Sequence, residues 1–181
     1  MSHHTPEQII KLFNQTFKNT HNTQLVCCEN EPIYRPADLE HRHHRIIFAH
    51  GFFASALHEI SHWCVAGKER RLLEDFGYWY EPDGRSPQRQ ADFEKVEVKP
   101  QALEWIFSVS AGVPFHFSAD NIALNNQPSD SFKQAVYLQV QHYLKNGLPT
   151  RAKMWSDCLL KHYQSNQISN KTLNLSDFSL A

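Results

Sequence analysis

The sequence predicts an α+β fold, an α-rich single domain with a small β element, on three observations. Several stretches repeat apolar residues at helical spacing. Two short runs, residues 23–28 and 46–49, are β-prone instead. The 181 residues contain no internal repeat, no low-complexity tract and no long linker, which makes residues 1–181 one domain on the usual size of roughly 100–200 residues.

Pro6 and Glu7 open the first helix, residues 6–19, whose apolar stripe is Ile9, Ile10, Leu12, Phe13 and Phe17. After the 23–28 run, IYRPAD reads as an extended segment and turn, with Pro36 barring a central strand. The polar cluster His41–Arg45 leads into a strand, Ile46–Ala49, which Gly51 ends. A helix from Ala54 to Ala66 follows, with Gly67 as its stop. Residues 68–93 read as a long irregular loop, carrying Gly77, Pro82, Gly84 and Pro87 among aromatic and charged residues. A second long helix covers Glu94–Ala111, with Pro100 in its first turn, and further helices cover 130–145 and 152–163. Residues 165–181 read as a loosely held tail in which Leu173, Leu175 and Phe178 can dock one more turn.

Composition excludes several classes. Lys+Arg is 18 and Asp+Glu is 19, for a net charge of -1, so the basic excess of a nucleic-acid binder is missing. No stretch approaches the ~18 consecutive apolar residues of a membrane helix. The opening MSHHTPEQIIKLFNQTF has no basic region followed by an apolar run, so no signal peptide is expected. With four cysteines, two of them the adjacent Cys27 and Cys28, the expectation is a cytoplasmic protein with reduced thiols.

Histidine is the unusual residue: nine of the 12 fall before residue 65. His58-Glu59-Ile60-Ser61-His62 is an HExxH motif on the predicted central helix. Residues i and i+4 share one helix face about 6 Å apart at Cβ, so two imidazoles there can converge on one metal ion. Glu59 sits next to the first histidine, where zinc peptidases keep their general base. The motif lies in an apolar helix, and buried polar side chains need partners. The competing explanation is a pair of core histidines held by backbone or carboxylate groups.

Two histidines do not complete a metal site. The candidates for a third ligand are Glu74, Asp75, Asp92, Glu94, Glu97 and Glu104. Glu97 is preferred, because Val96 and Val98 flank it and a buried carboxylate needs a cation; Glu94, one turn earlier, is the reserve. The alternative for both is a solvated acid at a helix start. His50 is a candidate hydrogen-bonding support for a ligand or a strand-end residue without a role, His41, His43 and His44 read as a solvated loop, and His3 and His4 read as a tag remnant or mobile tail.

Beyond the motif, HGFFASALHEISHWCVAGKERR, DFGYWYEPDGR and FEKVEVKPQALEW, with NEPIYRPAD before them, closely resemble the bacterial elongation factor P hydroxylase family over roughly residues 6–150. The resemblance implies a metal-dependent enzyme whose partner is elongation factor P carrying a β-lysylated lysine, to which a hydroxyl is added. It also implies a fold unlike the jelly-roll oxygenases, with HExxH in place of their HxD, so that 2-oxoglutarate dependence does not carry over. The residue chemistry agrees: two histidines and a carboxylate leave positions for dioxygen in non-haem Fe(II) oxygenases. On that reading His58, His62 and Glu97 hold Fe(II), although zinc or another divalent ion fits the same ligands. Glu59 then orients a bound water or a ligand histidine, or shapes the field at the metal. Residues 71–97 hold seven acids against four bases, which suits a long cationic arm, and Asp75, Tyr78, Trp79, Tyr80 and Asp83 are its candidate contacts. Two other classes stand against this reading. One is a zinc metallopeptidase with the same ligands and Glu59 as base; the other is a silent binding module with a structural metal.

Overall fold

The structure is a computed structural model describing residues 4–75, 86–118, 128–164 and 172–180. Helix α1, Pro6–Phe17, starts at Thr5, whose side chain accepts from the Gln8 amide, and buries Ile9, Phe13 and Phe17 at four-residue spacing. It packs on a three-stranded sheet of β1 (Thr23–Glu29), β2 (Ile33–Arg35) and β3 (His44–Ala49) in the order β1-β3-β2. β1 runs parallel to β3 and β2 antiparallel to it, with Leu25 and Tyr34 both opposite Ile46. The middle strand is buried from Arg45 to Ala49, as a two-sided strand must be. β2 sits on an edge and stops at Arg35, because Pro36 has no amide hydrogen for a ladder.

His50 and Gly51 turn the chain from β3 into helix α2, Phe53–Val65, both at positive φ, 57° and 67°. A Cβ at Gly51 would meet the Cys28 sulfur at 3.4 Å and the Cys27 sulfur at 3.7 Å, so the turn needs glycine for space as well as for conformation. The side chains of Cys27 and Cys28 lie together behind this turn, and Cys64 and Cys158 are free thiols.

Helix α3, Pro87–Ala111, is seven residues longer at its start than Glu94–Ala111, and Pro100 lies in its interior rather than its first turn. The reason is local. Ser86 accepts from the Arg89 amide and Pro87 fills the first turn, which starts the helix within the run read as irregular. That run also contains a 3-10 turn, Arg70–Leu72, and a β-bridge between Tyr34 and Asp75. α3 packs against α2, α4 (Asp130–Asn146) and α5 (Thr150–Tyr163). Around Ala102–Phe107 it is buried on every side. Trp155 of α5 is fully buried, with the rings of Phe13 and Phe17 at 5.4 and 6.1 Å.

Described residues near both ends are anchored. His4 is no mobile remnant: its Nε2 is 2.8 Å from the Ala111 carbonyl at the end of α3, and its ring stacks on Tyr163 at 4.6 Å. A last 3-10 turn, Leu175–Asp177, carries a capping box on Asn174 and Asp177, and Phe178 is buried against the Trp105 ring at 5.5 Å. Among the described residues no helix is long and apolar enough to cross a membrane.

Candidate metal centre

α2 packs between β3 and α3. Its buried positions Leu57, Ile60, Ser61 and Cys64 anchor it, which turns His58 and His62 toward α3. Nε2 of His58 lies 3.0 Å from Nε2 of His62. Glu97 of α3 is 3 % exposed and brings Oε1 to 3.4 Å from His62 Nε2 and Oε2 to 3.9 Å from His58 Nε2. The three ligand atoms lie within 4.8 Å of one another. Metal bonds of about 2.1 Å at angles between square and tetrahedral set ligand atoms roughly 3.0–3.4 Å apart, so these residues fit one divalent ion.

The tautomer fits too. Nδ1 of His58 is 2.8 Å from Oε2 of Glu104, a contact only an Nδ1–H donor makes to a carboxylate. On losing its other proton, His58 would present its Nε2 lone pair to the shared point, the arrangement by which an outer carboxylate orients a metal-bound imidazole. Burial works against charge on His58, but Glu104, Glu97 and Glu59 outweigh it and lift its pKa well above the ordinary histidine range. Burial, then the charges of His58 and Arg70, hold His62 well below that range. The charged His58 thus donates to the neutral His62 across 3.0 Å, and a divalent cation bound there would take the place of that proton.

Glu104 was one of six candidate ligands; its contact is with Nδ1, on the far side of the His58 ring from the shared point. The signal that finds it is spacing: Gln90, Glu97, Gln101, Glu104 and Ser108 form a buried polar stripe along one face of α3. Glu94 is on a different errand, accepting from the Ser129 amide at 3.3 Å and hydroxyl at 2.7 Å, where α4 starts. Glu74 and Asp92 pair with Arg35 and Lys95.

His50 is exposed in the turn before α2, its nearest ring contact being Phe52 at 6.4 Å. The structure does not bring it to His58 or His62, and the supporting contact expected of it is made to His58 by Glu104. His41 and His43 are on the surface, while His44 opens β3 and accepts from the Ala37 amide at 2.9 Å.

Glu59, half-buried, lines a small, partly open cavity of about 30 Å³ with Tyr34, Ile46, His62, Trp63, Ala66, Arg70, Arg71 and Asp75. Asp75 lines the same cavity as His62, and its carboxylate holds Arg70 through two contacts, one of 2.9 Å. The other expected arm contacts, Tyr78, Trp79, Tyr80 and Asp83, lie outside the described residues.

A helix-rich α+β chain with two imidazoles and one carboxylate around a single point defines a class: proteins equipped to hold one divalent metal on a two-histidine, one-carboxylate face. The particular family is shown by comparison with known proteins. Residues 12–173 match the family model described as elongation factor P hydroxylase, and the chain belongs to that family. It is 55% identical over 179 residues to the elongation factor P lysine hydroxylase of Haemophilus influenzae, covering 98% of this chain and 97% of that protein. Neither comparison gives the zinc-peptidase reading any support, and it falls away.

Proposed function

We propose that this chain is an Fe(II)-dependent hydroxylase of elongation factor P, acting in the cytoplasm on a lysine already carrying a β-lysyl group. The observation that carries the metal part is the convergence of His58, His62 and Glu97 within 4.8 Å, in a chain of the hydroxylase family. The likeness to a protein named elongation factor P lysine hydroxylase across nearly the full length supports the substrate. The reading takes residues 1–181 as one hydroxylase domain.

The reaction exchanges a C–H hydrogen of the lysine side chain for a hydroxyl. One atom of dioxygen enters the product and the other leaves as water, with two electrons and two protons from a cellular reductant. His58, His62 and Glu97 would hold the iron, which would supply the oxidising chemistry that side chains lack. The protein's own part is positioning. Glu104 holds His58 by its Nδ1–H, and the burial of Glu97 keeps water from competing for its carboxylate. Glu59 has no peptide-attacking water to deprotonate in this chemistry, so a peptidase role does not transfer to it.

Metal identity is tested by stripping the protein and reloading it. Fe(II) restores hydroxylation in air and Zn(II) does not; equal activity with zinc overturns the iron assignment, because zinc has no redox chemistry.

A further inference from the structure

We infer that the small cavity on the Glu59 face of α2 takes the ammonium end of the substrate's lysine-derived side chain, with Glu59 as its counter-charge. The inference rests on the hydroxylase reading and adds to it a substrate site with named residues.

Glu59, His62, Trp63 and Ala66 fall at i, i+3, i+4 and i+7 on α2, a single stripe, and that stripe is one wall of the cavity. Tyr34 of β2, Ile46 of β3 and the Arg70–Asp75 segment make the opposite side. His62 belongs to both places. Its Nε2 takes part in the ligand cluster and the residue also lines the cavity, so an ammonium held there keeps its chain beside His62. Iron that oxidises a C–H bond needs the substrate carbon delivered in that way.

The lining suits a linear alkyl ammonium. Ile46, Ala66, Trp63 and Tyr34 offer apolar surface for methylenes. The Tyr34 wall is fixed: its hydroxyl donates to the Arg71 carbonyl at 2.9 Å, and its backbone exchanges two hydrogen bonds with Asp75, of 2.8 and 3.0 Å. The arginines are turned to other groups, Arg70 to the Asp75 carboxylate and Arg71 to the Ala66 carbonyl at the end of α2. Glu59 is the acid on the α2 wall itself, adjacent in sequence to His58. An ammonium entering a half-buried cavity needs such a counter-charge.

The probe is 1,5-diaminopentane, titrated into zinc-loaded full-length protein while the indole N–H signal of Trp63 is followed by NMR. The signal is assigned through Trp63→Phe. A saturable shift is expected, weakened at least about 10-fold in Glu59→Gln and in the cavity-filling Ala66→Leu. No shift with wild-type protein, a shift that survives Glu59→Gln, or a shift produced by pentanoate instead would overturn the assignment, the last pointing to Arg71 and an anionic ligand. In turnover of elongation factor P, Glu59→Gln raises KM by roughly 10-fold while kcat changes by less than about 3-fold. A collapse of kcat at unchanged KM contradicts the substrate-holding role. Diaminopentane binding as expected, with no hydroxylation of elongation factor P by the iron-loaded wild type, counts against the hydroxylase reading and leaves the cavity as an alkyl-ammonium site.

Discussion

Glu104 Oε2 lies 2.8 Å from Nδ1 of His58, and seven residues earlier on the same face of α3 Glu97 presents its carboxylate to both histidines. On the proposed reading one helix supplies a metal ligand and the group that orients another. Replacing Glu104 by Gln keeps an acceptor for the Nδ1–H but removes the charge. Affinity for a divalent ion should fall by roughly 10–100-fold, read by Co(II) titration with visible absorption. Wild-type affinity in Glu104→Gln contradicts the orienting role.

Metal binding should expel protons. His58 stands well above its ordinary range, because Glu104, Glu97 and Glu59 outweigh the effect of burial, and is charged at neutral pH without metal. The ion needs its lone pair, so apparent affinity rises with pH through neutrality and levels off above the raised His58 pKa. Calorimetric titrations in buffers of different ionisation enthalpy measure the release directly. An affinity flat across that range is the opposing result.

The folded chain alone brings the three candidate ligands together, so metal should stabilise it. At a free ion concentration of 100 times Kd the gain is about 2.7 kcal/mol. For a chain of this size that raises Tm by roughly 5–10 °C. EDTA reverses the rise, and His62→Ala shows none; a Tm indifferent to metal in the wild type would mean that the three side chains do not act as a site.

How much of this was legible in the sequence depended on spacing. His58 and His62 at i, i+4 are visible in any reading, and the valines on both sides of Glu97 marked it as a buried acid. Glu104 was in view but unranked, because its role follows only from the period of α3 running unbroken through Pro100. Placing Pro100 in the first turn of a helix from Glu94 hid the true beginning at Ser86-Pro87. His4 shows the other limit: a histidine beside the terminus has no local pattern, and its place against Ala111 and Tyr163 is set by tertiary packing alone. The cavity was invisible for the same reason, since Tyr34, Ile46 and Glu59 come from three separate elements.

The C-terminal turn should matter to stability. Phe178 is 4 % exposed and packs on Trp105, which is itself on the helix that carries Glu97. Phe178→Ala is expected to cost about 3 kcal/mol, measured as a lower urea midpoint at unchanged m. A loss below about 0.5 kcal/mol would class the turn as a loosely held tail.

The central claim is that His58, His62 and Glu97 hold the metal with which this chain hydroxylates elongation factor P. Its most direct measurement is the intact mass of β-lysylated elongation factor P after incubation with the protein, Fe(II), a reductant and air. The account predicts a gain of one oxygen, lost in His58→Ala and lost without air. No gain with fully iron-loaded wild type, or the same gain in His58→Ala, would contradict it.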